Sequence, residues 1–211
     1  MQAAIKVNKQ GQALGRKGGE TRRRLLDATL ELIATEDSHK LTASRIARAA
    51  GLASQSFYLY FKDIDEILLV LAEEASADFA TVKDVIDAAP AEIAPARLSR
   101  QLVDALAAVW DRHRAILSLR NYLADCGSAE FLKLRYQTAM PLINSLAQRV
   151  QQAQPELDAV AAQGRAIIIF QAMERTVARE NATQYPGARE PVDMRAAAAD
   201  VLTLLLTPHA H

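Results

Sequence analysis

The chain carries a single cysteine, Cys126, in 211 residues. That excludes an internal disulfide framework and any multi-cysteine zinc site. A lone cysteine beside Gly127 reads as an inert thiol at a helix end. Histidine is nearly as scarce: of His39, His113, His209 and His211, only the last two are spaced as metal ligands are, and they stand at the frayed C-terminal end. No HExxH, GxSxG or Glu-x-x-His pair is present, so the zinc-protease, hydrolase and di-iron chemistries lack their residues. The expectation is a protein that is not an enzyme, with no catalytic residue, no metal and no cofactor. Long apolar runs are also missing. Ala166–Phe170 and Val201–Leu206 fall well short of the ~18 residues a membrane span requires. The lysines near the start are followed by no apolar stretch of the secretory type. A soluble, cytoplasmic protein with no membrane partner is expected.

Glycine is rare and unevenly placed. Four of eight (Gly11, Gly15, Gly18, Gly19) fall in the first twenty residues, among Lys6, Lys9, Arg16 and Lys17. Residues 1–20 therefore read as a flexible basic arm. Gly15-Arg16-Lys17-Gly18-Gly19 has neither the spacing nor the preceding strand of a phosphate-binding loop.

Charge is balanced overall, at 25 basic and 25 acidic residues, but not locally. Residues 1–62 hold eleven Lys and Arg against five Asp and Glu, a surplus of six, and the remaining residues carry the matching deficit. A basic head on an acidic body marks a polyanion-binding end.

From Thr21 onward alanine dominates and apolar spacing is helical. Ile64, Ile67, Leu68, Leu71, Ala72, Ala75 and Phe79 form one stripe, and Asp63-Ile64-Asp65-Glu66 ahead of it is a capping-box variant. Prolines 90, 95, 155, 186 and 191 punctuate the rest, while Pro141 either kinks a helix or starts one. Helices are predicted at roughly 22–35, 42–49, 54–60, 63–82, 96–112, 114–125, 128–153, 156–181 and 192–206. The fold class is all-α with about nine helices: a helix-turn-helix head over 21–62 and a larger helical body over 63–211.

The head carries the recognition chemistry. Thr42 is a good N-cap, Ile46, Ala47 and Ala50 give a small apolar face, and Gly51 sits where a tight turn needs positive φ. On the following helix, at about 100° per residue from Ser54, Phe57 falls near 300° and Phe61 near 340°, facing inward with Leu52. Gln55, Leu59 and Ser56 occupy the opposite face, flanked by Tyr58 and Tyr60. Such a helix suits a major groove: Gln55 pairs with adenine, Leu59 meets a thymine methyl, and the tyrosine hydroxyls reach phosphate. The predicted DNA-facing set is Arg22, Thr42, Ser44, Arg45, Ser54, Gln55, Ser56, Tyr58, Leu59, Tyr60 and Lys62.

The stretch from Thr21-Arg22-Arg23-Arg24-Leu25-Leu26-Asp27-Ala28 through Leu41-Thr42, Ile46-Ala47-Arg48-Ala49-Ala50-Gly51-Leu52 and Ser56-Phe57-Tyr58-Leu59-Tyr60-Phe61 to Ile67-Leu68 resembles the TetR family of bacterial transcriptional regulators. The resemblance covers about the first third of the chain. It implies a three-helix DNA-binding domain, a ligand-binding body and a homodimer built on the last two helices. It also implies DNA contacts at Thr42, Ser56, Tyr58 and Tyr60. Three positions depart from the pattern. Ala53 replaces a common Ser and moves the expected cap to Ser54. Arg45 replaces an acidic residue, which leaves it able to reach phosphate or base. Ile64 replaces a common Lys, leaving Lys62 as the nearest cation.

In the body, Phe79, Trp110, Tyr122, Phe131, Tyr136, Phe170 and Met173 are candidate walls of an apolar effector pocket. Ile167, Phe170, Val177, Val201, Leu202 and Leu205 are the candidate dimer interface, because leucines on three sides of a terminal helix exceed what a monomer hides. The expected function is a ligand-responsive, homodimeric DNA-binding regulator, a repressor released from a pseudo-palindromic operator by a small apolar molecule. The route expected is a tilt of the long helix from Asp63 to Phe79, which shifts heads that must sit ~34 Å apart. An all-α small-molecule-binding or scaffold protein that does not read DNA is the alternative.

Overall fold

A computed structural model describes residues 15–35, 40–179, 182–183 and 192–208. Nine α-helices occur among them: α1 (Arg16–Thr35), α2 (Ala43–Ala49), α3 (Phe57–Tyr60), α4 (Ile64–Ala77), α5 (Phe79–Ala88), α6 (Pro95–Asp125), α7 (Ala129–Ala153), α8 (Ala159–Val177) and α9 (Met194–Leu206). One short antiparallel pairing, β1 (Ala182–Thr183) with β2 (Val192–Asp193), lies in the chain between α8 and α9. The fold is all-α, as the apolar spacing predicts. Among the described residues no helix is long and apolar enough to cross a membrane.

The chain divides into two compact units, the first taking in Met1–Glu74 and Ala115–Leu132, the second Ala75–Arg114 and Lys133–His211. The predicted boundary between residues 62 and 63 therefore falls inside the first unit. The reason is packing: Ile67, Leu68, Leu71 and Ala72 of α4 are buried in the same unit as Leu25, Leu26, Ile46, Phe57 and Phe61.

Two further predictions are corrected. Helix α1 starts at Arg16, so the last residues of the expected arm are helical. Extending a helix that already exists adds a backbone bond per residue without a new nucleus. Here the extension also gains an Arg16–Glu20 pair at 3.1 Å and a Thr21 hydroxyl donating to Lys17 O. Residues 1–14, the rest of that arm, lie outside the described residues, as do His39, His209 and His211.

The predicted helix over 63–82 is two helices. Its chain breaks at Asp78, whose N–H turns back to Ala75 O and whose carboxylate is drawn to α6. The predicted segments 96–112 and 114–125 are the two arms of α6, which part at His113, where the backbone leaves helical geometry (φ −122°, ψ 18°). Of the two alternatives for Pro141, a fresh start is excluded, because the proline sits inside α7.

In the second unit the core is aliphatic and aromatic: Phe79, Val82 and Ile86 from α5, Leu102, Val103, Leu106 and Trp110 from α6, Leu146 and Val150 from α7. Helices α8 and α9 pack on one another, and Ile169, Phe170 and Val177 of α8 and Ala199, Leu202 and Leu206 of α9 are buried. A buried Gln154 joins them. Its amide nitrogen donates to Leu205 O at 3.0 Å, and its oxygen accepts from Arg165. Arg149 closes the C-terminal end of α5 by donating to Ile86 O and Ala89 O.

Candidate nucleic-acid interface

The helix-turn-helix is built from short elements that cannot stand alone, since helices of seven and four residues are far below the length that persists in water. Packing supplies the stability. Ile46, Ala47, Phe57 and Phe61 are fully buried, and the Phe57 and Phe61 rings lie 5.7 Å apart. The small side chain of Ala47 allows the close crossing that the sequence suggests.

Thr42 caps α2, its hydroxyl accepting from Arg45 N at 3.3 Å. Gly51 takes φ +67°, the left-handed conformation that ends α2 and turns the chain. The recognition segment then opens differently from the prediction. Ser54–Ser56 is a 3-10 turn, capped at Ala53 without a side-chain bond, and the α-helix proper is Phe57–Tyr60. Ser54 is not the cap. A 3-10 turn advances about 120° per residue rather than 100°, which rotates Ser56 from the outer face into a half-buried position. Tyr60 is half-buried as well.

What remains on the outside is compact: Gln55, Ser54, Tyr58 at 54% exposure and Leu59 at 63%. The Tyr58 ring is set edge-on against Phe57, with centroids 5.4 Å apart and planes at 81°, so a buried aromatic orients an exposed one. Thr42 and Ser44 are exposed at the start of α2. Arg45 has an intramolecular partner, donating to Lys40 O at 3.3 Å, where the sequence left it open for DNA. Arg22 lies over the Phe61 ring at 4.9 Å. Lys62 is exposed beside Asp63, and its backbone N–H donates to Glu66. The predicted box on Asp63 forms, with Glu66 N donating to its carboxylate at 2.9 Å. That bond holds the Asp63 carboxyl below the usual range.

Sequence reasoning missed Arg24, whose guanidinium reaches the carbonyl of Ala50 at 2.5 Å. The signal was available: an arginine on the first helix and a glycine turn lacking its own cap.

The seven candidate pocket residues do not gather on one wall. Phe79, Trp110, Phe170 and Met173 are buried in the second unit and Phe131 in the first. Tyr122 and Tyr136 are about half exposed and face solvent, contrary to the prediction. Tyr122 meets Cys126 one turn along, which raises its phenol, and Tyr136 lies on the outer side of α7. Trp110 is the chain's one tryptophan; its Nε1 and the Ser99 hydroxyl are buried without a partner among the described residues. An open groove of about 780 Å³, lined by Val85, Ala89, Ile93, Arg97 and Gln101 among others, involves none of the seven.

The candidate interface also divides. Phe170, Val177 and Leu202 are buried within their own chain and so present nothing to a partner. Ile167 and Leu205 are half-buried, and Val201 is half exposed. The outward apolar residues are Val160, Ile168 and Leu204, each 70% exposed or more. Ile168 and Leu204 each lie one residue from one that the sequence picked, Ile167 and Leu205.

Among the described residues no group of three or more His, Cys, Asp and Glu side chains is placed to hold a metal ion.

Residues 25–71 match the family model described as bacterial regulatory proteins, tetR family. A fatty acid metabolism regulator protein of Bacillus subtilis is 40% identical over 55 residues, 26% of this chain and 28% of that protein. An HTH-type transcriptional regulator of Haemophilus influenzae is 42% identical over 57 residues, with the same shares. The chain thus matches these curated relatives over little more than a quarter of their length. Solved structures match over nearly the whole chain and carry the fold. A transcriptional regulator of Streptomyces coelicolor is 23% identical with a TM-score of 0.62, covering 89% of this chain and 99% of that one. The regulator FadR of Bacillus subtilis, in complex with stearoyl-CoA, is 22% identical with a TM-score of 0.60 and the same coverage. The matching segment spans the turn at Gly51, so the helix-turn-helix head is similar to the tetR family of bacterial regulatory proteins, and the chain shares the fold of these solved regulators.

Proposed function

We propose that the protein is a ligand-responsive transcriptional regulator: a cytoplasmic homodimer that represses from a pseudo-palindromic operator and is released by a small apolar effector. One observation carries the DNA-binding half. The recognition segment buries Phe57 and Phe61 completely while presenting Gln55, Tyr58 and Leu59 outward, behind a glycine turn of the required φ. Gln55 is the base-reading side chain, Leu59 the contact for a thymine methyl, and Tyr58, Thr42, Ser44 and Lys62 the phosphate contacts. Dimerisation through the outward residues Ile168, Val201 and Leu204 places two such segments on successive major grooves.

The effector half rests on the apolar interior of the second unit. An acyl chain is the first candidate, because two regulators of this fold are solved with stearoyl-CoA and lauroyl-CoA. The buried, unpartnered Nε1 of Trp110 gives such a ligand a donor for a carbonyl oxygen. An effector shifts DNA affinity only by binding the two states differently, typically by ~1–3 kcal/mol.

The test is fluorescence anisotropy with labelled duplexes from the region upstream of the gene. Specific, salt-dependent binding that lauroyl-CoA relieves supports the reading. Binding of lauroyl-CoA without any DNA binding favours the small-molecule-binding alternative.

A further inference from the structure

We infer that Arg24 is a positioning residue for DNA recognition: reaching from α1, its guanidinium fixes the turn that sets the recognition segment, and with it the placement of Gln55, Tyr58 and Leu59. The inference rests on the DNA-binding reading above.

Nη2 of Arg24 donates to Ala50 O at 2.5 Å and lies 3.5 Å from Gly51 O. These carbonyls follow the last turn of α2, where no helical N–H reaches them. A cation there also suits the negative end of the helix. The inner side of the same turn is closed by backbone, with Gly51 N donating to Arg48 O and Leu52 N to Ala47 O. Arg24 closes the outer side. A Cβ on Gly51 would stand 3.0 Å from Nη2, so glycine serves the approach of the guanidinium as well as the φ of +67°.

The three consecutive arginines have separate partners. Arg22 covers Phe61, Arg23 pairs with Asp27 and Glu74, and Arg24 alone reaches the turn. Arg24 is exposed, and bonds of exposed cations add little to folding. Their geometric effect is larger, because paired hydrogen bonds to a base edge require the reading side chain within about half an ångström.

The experiment compares Arg24→Gln and Arg24→Lys with wild type on operator and random duplexes across a salt series, with melting curves alongside. A phosphate contact and a positioning role separate cleanly, since losing a phosphate contact weakens all sequences alike and lowers the salt slope by about one. We expect Arg24→Gln to lose about tenfold on operator. Random duplex should stay within about twofold, with the salt slope kept. Arg24→Lys, which keeps the charge as a single point donor, should recover part of the loss.

Equal losses on both duplexes with a reduced slope would make Arg24 a phosphate contact and overturn the inference. So would an unchanged operator affinity, or a loss that only tracks the unfolded fraction. If Arg24→Gln does not fold, the operator-to-random ratio of Arg24→Lys decides: a ratio equal to wild type overturns the inference, a lowered one supports it. Wild type that binds no duplex removes the inference and the DNA-binding reading together; wild type that reads operator while both variants match it removes the inference alone.

Discussion

Asp78 and His113 meet at 2.8 Å, joining the N-terminal end of α5 to the one non-helical residue of α6. Arg112 donates to the same carboxylate oxygen at 2.5 Å. These bonds, that of His113 foremost, hold the Asp78 carboxyl below the usual range. A carboxyl whose folded value is depressed adds stability above its unfolded value, and that stability is lost as pH falls through the folded one. Because the side chain is a third exposed, the contribution is small, up to ~1 kcal/mol. Asp78→Asn should therefore melt slightly below wild type at neutral pH, and the gap should close in acid. A gap that persists below the carboxylate range would show that the pair does not hold the bend.

Gln154 is expected to matter more than any surface ion pair. It is buried with both ends of its amide engaged, linking the end of α7 to α8 and α9. Gln154→Ala leaves Arg165 and Leu205 O without that partner and should cost about 1–3 kcal/mol in urea unfolding. An unchanged midpoint would mean that water replaces the amide fully.

Gly51→Val tests the turn itself. A β-branched residue at φ +67° is strained, and we expect a loss of about 1–2 kcal/mol together with operator binding. Full DNA affinity in a stable variant would contradict the turn's role.

The assembly prediction distinguishes two kinds of apolar residue. Ile168→Glu with Leu204→Glu should yield a folded monomer in sedimentation, because both side chains face outward. Phe170→Glu should instead unfold the second unit, at a cost of ~3 kcal/mol or more, since Phe170 belongs to its core. A dimer that survives the double substitution would move the interface elsewhere.

Most of the head was legible because its signals are local. Thr42, Gly51 and Asp63 act on neighbouring backbone, and the burial of Phe57 and Phe61 follows from helical spacing. What escaped depends on partners distant in the chain. The apolar stripe runs from Ile64 to Phe79 without a gap in spacing, so the break at Asp78 is visible only once Arg112 and His113 are beside it. Tyr122 and Tyr136 carry polar tips that suit either a pocket wall or water, and spacing does not choose. On α8 and α9, composition showed an excess of apolar residues. Only the packing of the two helices tells Phe170 and Leu202, which are consumed within the chain, from Ile168 and Leu204, which are not.

On the proposed function, the short segment from Ser54 to Tyr60 reads DNA sequence. Selection from a random duplex library, run with wild type and Gln55→Ala, measures it directly. Wild type should enrich a pseudo-palindrome with half-sites about one helical turn apart, and Gln55→Ala should relax one base pair in each half-site by ~1–3 kcal/mol. A library that emerges from wild type unenriched, or a Gln55→Ala selection identical to wild type's, would contradict it.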